Sequence, residues 1–159
     1  MYAPSVCLAC QSSRDEFEVP TTKSSAASLV RPVRPKVLIV EDEPLAACFL
    51  QELFTIRFGC EADIAPSGLV AIERLAEAKY ALIVSDVRLP EINGTELYLW
   101  MSEAQPEMAR RFVFVTAYAD EKYFGADLVL WGVPILAKPY TIPQLSALCG
   151  PYLERPREA

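Results

Sequence analysis

Several short stretches of this chain are apolar on consecutive positions, and this pattern narrows its fold more than any other feature. They are Val37-Leu38-Ile39-Val40, Ala81-Leu82-Ile83-Val84, Phe112-Val113-Phe114-Val115 and Val133-Pro134-Ile135-Leu136-Ala137, with a weaker run over 60–65. A strand with one wet face alternates apolar and polar residues. A strand apolar throughout needs cover on both faces, as in a parallel sheet between two layers of helices. The intervening segments 44–58, 67–79, 94–104, 120–131 and 141–153 have helical length and spacing, as with Leu45, Phe49, Leu53 and Ile56 in the first. Pro44 suits a first helical turn and Gly132 a helix C-terminus. Five successive β-α pairs predict one α/β domain: a doubly wound, five-stranded parallel sheet with five helices.

The 159 residues suffice for one such domain and a core that needs no staples. Residues 1–35 differ from the rest, with Pro4, Pro20, Pro32, Pro35 and the run Thr21-Thr22-Lys23-Ser24-Ser25. They read as a flexible N-terminal arm before a domain at 36–154, with 155–159 a short tail. Five cysteines are an odd set, and three lie in apolar segments, which suggests reduced, buried thiols. Cys7 and Cys10 form a CxxC, but no second pair or histidine completes a zinc site. No leader pattern or bilayer-length apolar run is present, so the expectation is a cytoplasmic protein without membrane insertion.

Histidine is absent altogether. This excludes a His general base, the Ser-His-Asp and Cys-His nucleophile systems and every His-ligated metal. A net charge of −6 argues against nucleic-acid backbone binding as the main task. The remaining chemistry belongs to carboxylates, hydroxyls, lysine, thiols or a hard cation.

In an open α/β sheet, ligands bind beyond the carboxyl ends of the strands. The residues following the apolar runs are Glu41, Asp42 and Glu43, then Asp86, Thr116 and Lys138. Each has a plain alternative. Asp42 or Glu43 before Pro44 suits a helix cap, Thr116 suits the start of a helix, Asp86 a turn, and Lys138 the surface. Independent capping does not, however, require an acid cluster, an acid, a hydroxyl and a lysine at successive strand ends. Three carboxylates sharing a crevice are costly unless a cation joins them, and all-oxygen donors select a hard ion.

These motifs resemble the receiver domain of two-component response regulators, the CheY-like family. The matching residues are Val40-Glu41-Asp42-Glu43, Ser85-Asp86-Val87-Arg88-Leu89-Pro90 followed by Asn93-Gly94, Val115-Thr116-Ala117, and Lys138-Pro139-Tyr140. The resemblance covers the whole expected domain. It implies a flavodoxin-like strand order 2-1-3-4-5 and a phosphoacceptor role for Asp86, with a phosphohistidine of a sensor histidine kinase or histidine phosphotransfer protein as donor. It also implies Mg²⁺ held by Glu41, Asp42, Asp86 and the backbone carbonyl of Arg88. Thr116 and Lys138 would contact phosphoryl oxygens, Ala117 would share the switch segment, and Lys138-Pro139 would be cis.

The family's aromatic switch position is held here by Ile135, which cannot report by ring rotation. Tyr118 and Tyr140 are candidate substitutes, and Gly125 marks the fourth helix as the expected mobile element. Bulky Arg88 and Tyr118 beside the path of hydrolytic water point to a long-lived phosphoryl group. On the first helix, Leu50 and Phe54 form a second apolar stripe, read either as a phosphodonor contact or as deep core. Phe124, Leu128 and Trp131 read as core. With only residues 154–159 after the last helix, the expectation is a stand-alone, non-enzymatic response regulator. It would signal to a downstream protein target or serve as a relay shuttle or sink. Two readings compete with it. One is a receiver-like module that is never phosphorylated. The other is an Mg²⁺-dependent phosphatase or phosphotransferase, although Glu41 and Glu43 stand where such enzymes place two aspartates.

Overall fold

The computed structural model describes residues 34–117 and 131–153. The strands are β1 (Lys36–Val40), β2 (Glu61–Ala65), β3 (Leu82–Ser85), β4 (Phe112–Thr116) and β5 (Ile135–Ala137). The helices are α1 (Pro44–Phe58), α2 (Gly68–Glu77), α3 (Gly94–Ala104), the one-turn α4 (Pro106–Ala109) and α5 (Ile142–Leu153). All strand pairs are parallel and the sheet order is β2-β1-β3-β4-β5. The expected helix over 120–131 lies outside the described residues except for Trp131, which is helical and is followed by Gly132 at φ 65°. Tyr118, Phe124, Gly125, Leu128, the arm with Cys7 and Cys10, and residues 154–159 also lie outside them.

Consecutive burial in the central strands follows from cover on both faces. Leu38, Val40, Ile83, Phe112 and Phe114 face α2 and α3 through Ala71, Leu75, Leu97 and Met101. Val37, Ile39, Leu82, Val84, Val113 and Val115 face α1 and α5 through Leu50, Phe54, Leu145 and Cys149. The edge strands β2 and β5 are only partly buried.

Local chemistry sets the helix ends. Pro44 opens α1, and Gly59 at φ 64° closes it with its N–H on the Phe54 carbonyl. Ser67 caps α2 by accepting from Val70 N–H at 3.3 Å. Asn93 and Glu96 form a reciprocal capping box on α3.

The structure decides one open reading in favour of deep core and corrects two expectations. Leu50 and Phe54 are the buried face of α1, whereas Leu45 (78% exposed), Phe49 and Ile56 (82% exposed) look outward. Both stripes of α1 are apolar, so periodicity alone could not choose between them; packing against β1 and β3 does. Cys48 is exposed, unlike the buried Cys60 and Cys149. Val133 and Pro134 precede β5 and are not part of it.

Midway along β2, Asp63 accepts from Tyr80 Oη at 2.8 Å and pairs with Lys36 Nζ at 2.8 Å. Burial works to raise the Asp63 carboxyl, but bonds from Lys36 and Tyr80 outweigh it and hold Asp63 below its ordinary 3.8. A depressed carboxylate stabilises the fold above its unfolded pKa and loses that contribution as pH falls through the folded value. Asp63→Asn should therefore cost about 1 kcal/mol near neutrality. In urea titrations the gap from wild type should close as pH drops below 3.8.

Candidate functional site

The parallel register brings the strand ends to one rim. Val40 pairs with Ser85 and Thr116 with Ala137, so Glu41, Asp86 and Lys138 emerge beside Thr116, the last residue of β4. Lys138 Nζ lies 2.6 Å from Glu41 Oε2 and 2.9 Å from Asp86 Oδ2. The Glu41 side chain is only 4% exposed, too deep for a carboxylate without a cation. Burial pushes the Glu41 carboxyl above its ordinary range, and the Lys138 bond only partly draws it back. For Lys138, burial acts against the charge, but hydrogen bonds to Glu41 and Asp86 outweigh it and raise the ammonium pKa. One ammonium thus serves two carboxylates.

Asp86 is fixed at every polar atom. Its Oδ1 accepts from the backbone N–H of Val87 and, at 3.2 Å, of Arg88. Its own N–H donates to the Val40 carbonyl at 2.9 Å, and its carbonyl accepts from Ser85 Oγ at 2.7 Å. Behind it, the first turn of α3 approaches so closely that a Cβ on Gly94 would meet the Asp86 carbonyl at 2.1 Å. The Gly94 N–H donates to Val87 O at 2.8 Å.

Thr116 is fully buried, and its carbonyl accepts from Lys138 N–H at 2.7 Å. The Lys138–Pro139 peptide is cis. Ala117 is exposed in the bend after β4. Ile135 is half-buried and packs on the layer holding Phe112 and Phe114. Tyr140 is half-buried on the α1–α5 side, and burial pushes its phenol pKa up.

Asp42 is exposed and forms no hydrogen bond or ion pair with described residues, and Glu43 occupies the α1 N-cap without a side-chain cap bond. Arg88 is exposed. Among the described residues, no group of three or more acidic, thiol or imidazole side chains is gathered as a ready cation cage. Glu41 and Asp86 meet Lys138 rather than Asp42, which stands at the outer rim. The donor chemistry nonetheless suits a hard divalent ion, because every donor is an oxygen and the Glu41 and Asp86 carboxylates converge on Lys138. Sequence reasoning did not find Ser67 and Glu91, which meet beside the Asp86 loop. Ser67 read there only as the start of a helix.

Residues 37–149 match the family model of the response regulator receiver domain. The chain belongs to this family. The response regulator ArlR of Staphylococcus haemolyticus is 32% identical over 122 residues, covering 75% of this chain and 52% of that protein. A sensor protein from Polaromonas sp. JS666 superposes with a TM-score of 0.67 at 26% identity, over 76% of this chain and 97% of that one. TrrA of Thermotoga maritima, solved in complex with Mg(2+)-BeF, has a TM-score of 0.66 over 75% of this chain and 99% of its own. At 24% identity, that likeness is one of fold. The chain spans about half the length of ArlR and 24% and 14% of two other curated relatives. No helix among the described residues is long and apolar enough to cross a membrane.

In this receiver the close approach of Gly94 ties α3 to the Asp86 backbone. Gly94→Ala should cost about 1–3 kcal/mol in urea unfolding, because carbonyl or helix must move to admit the methyl group.

Proposed function

We propose that this receiver accepts a phosphoryl group on Asp86 from a phosphohistidine of a sensor histidine kinase or histidine phosphotransfer protein. The observation that carries the reading is the convergence of Asp86, Glu41 and Lys138, with Thr116 at the same rim. An Asp86 carboxylate oxygen forms the new O–P bond as the donor's P–N bond breaks, and the bonding pair returns to the imidazole. The backbone amides of Val87 and Arg88 hold the carboxylate in one orientation, so little rotational freedom is lost when the donor arrives.

Lys138 already touches Asp86 and follows the phosphoryl group as a point charge, while the Thr116 hydroxyl donates to a second phosphoryl oxygen. Ala117, small and exposed, follows Thr116 at the same rim and would share its contact with the phosphoryl group. Glu41, Asp42, Asp86 and the Arg88 carbonyl would hold Mg²⁺, which neutralises charge between the two reacting anions. The TrrA complex with Mg(2+)-BeF supports this assignment. The receiver acts by altered binding to a downstream protein or by passing its phosphoryl group on, with no turnover of an external substrate.

The outward face of α1 supports a protein donor. Leu45, Cys48, Phe49 and Ile56 are exposed, and α1 begins next to Asp42 and Glu43. An apolar helical stripe at the rim of the site fits the packing of a partner helix.

Incubation with phosphoramidate and Mg²⁺ should add one phosphoryl group by intact mass, and Asp86→Asn should abolish the adduct. A wild-type protein that gains no mass would refute the reading, and continuous release of phosphate from a phosphomonoester would favour an enzyme. Phe49→Glu should slow transfer from a phosphorylated histidine phosphotransfer protein by about tenfold, the scale of one interface residue. The same variant should react with phosphoramidate at the wild-type rate.

A further inference from the structure

The loop that carries Asp86 is held at its far end by a contact with no part in the chemistry above. Ser67 is buried at the start of α2, and its Oγ donates to Glu91 Oε2 at 3.0 Å while accepting from Val70 N–H. Glu91 is the one non-glycine residue at positive φ (65°) among those described. The left-handed region crowds a Cβ against the backbone and persists where surrounding contacts impose it. One residue on, the Ile92 carbonyl presses on α2 so closely that a Cβ on Gly68 would meet it at 2.2 Å. Residues 91–92 and the first turn of α2 are therefore in backbone contact, and the Ser67–Glu91 hydrogen bond spans that junction.

The junction leads directly to the site. Ile92 N–H donates to Pro90 O at 2.8 Å and Gly94 N–H to Val87 O at 2.8 Å, closing the loop on itself. Within it, Val87 and Arg88 supply the amides that orient Asp86 Oδ1. A loop so short and internally bonded transmits a displacement of Glu91 to the Arg88 peptide.

We propose that Ser67 and Glu91 form a latch that sets the position of the phosphoacceptor loop from α2. Both are positioning residues: neither touches the reacting atoms, and they act through the Val87 and Arg88 peptides. The proposal rests on the reading of Asp86 as phosphoacceptor.

The test uses the full chain and four variants, Glu91→Ala, Glu91→Gly, Glu91→Gln and Ser67→Ala. Three readouts are the phosphorylation rate with phosphoramidate across a Mg²⁺ titration, amide hydrogen exchange of Val87 and Arg88 without Mg²⁺, and the urea midpoint. Loss of one hydrogen bond predicts about three- to tenfold slower phosphorylation, or a Mg²⁺ requirement raised by that factor, in Glu91→Ala. Exchange at Val87 and Arg88 should quicken by a similar factor. Glu91→Gln keeps an acceptor and restores most of the loss. Glu91→Gly relieves the positive φ, so its urea midpoint lies above that of Glu91→Ala while its rate falls as far. The Ser67→Ala and Glu91→Ala effects on rate should not add in the double variant.

A merely structural Glu91 would instead let rate follow stability, with Glu91→Gly recovering wild-type phosphorylation. That result, or unchanged exchange at Val87 and Arg88, overturns the latch. A wild-type chain that takes no phosphoryl group while Asp86 loop exchange responds to Glu91 variants overturns the phosphoacceptor reading instead.

Discussion

A carboxylate as deeply placed as Glu41 must have a cation, and the only way this fold brings Lys138 to it is to run β1 and β5 parallel and in register across three intervening strand pairings. The ammonium bridges Glu41 and Asp86, so it joins the ends of β1, β3 and β5 into one charged cluster over a sheet whose central strands are otherwise apolar. Burial raises the Glu41 carboxyl pKa even with Lys138 in contact, so desolvation there outweighs the ion pair. A buried pair in that balance is a poor device for stability. The same balance explains why Lys138 suits this position better than arginine. A compact ammonium on a flexible stem can leave one oxygen for another, whereas a forked guanidinium would commit to a single carboxylate.

Around that cluster, the strand-borne and loop-borne members are held differently. Glu41, Thr116 and Lys138 take their positions from the sheet, with Lys138 N–H bonded to Thr116 O and Glu41 N–H to Ala65 O. Asp86 begins a loop, and its placement depends on close backbone approaches at Gly68 and Gly94, where any side chain would collide with a carbonyl. These two glycines therefore act through absent volume. Each lets a helix N-terminus come near enough to fix the loop without a side chain between them.

Much of this architecture was legible from residue order. Uninterrupted apolar runs demanded a sheet covered on both faces, and Leu38 and Val37 indeed pack on opposite helical layers. The rim residues could be placed because a parallel sheet puts every strand's carboxyl end on one side. What could not be read was anything decided by angle or by distant contact. On α1, Leu45 and Leu50 are equally apolar, and only the helix's rotation about its axis buries one and exposes the other. Asp42 and Glu41 are neighbours with the same chemistry, yet just past the end of β1 Glu41 is buried and Asp42 lies at the surface. The meeting of Ser67 with Glu91 joins residues 24 apart in a way no local pattern announces.

Ile135 stands at the start of β5, three strand pairings from β1, and is half-buried. A β-branched side chain is stiff at χ1, and Ile135 packs on the same layer as Phe112 and Phe114. Behind that layer, Tyr98 stacks on Trp131 at 5.3 Å and meets the edge of Phe112 at 5.5 Å. Tyr98 also meets the edge of Phe114 at 6.3 Å. The end of β4, where Thr116 sits, therefore borders an aromatic layer reaching α3 and the segment before β5. Phe112 and Phe114 are themselves 4.9 Å apart, so Ile135 and the Tyr98–Trp131 pair flank one packed layer.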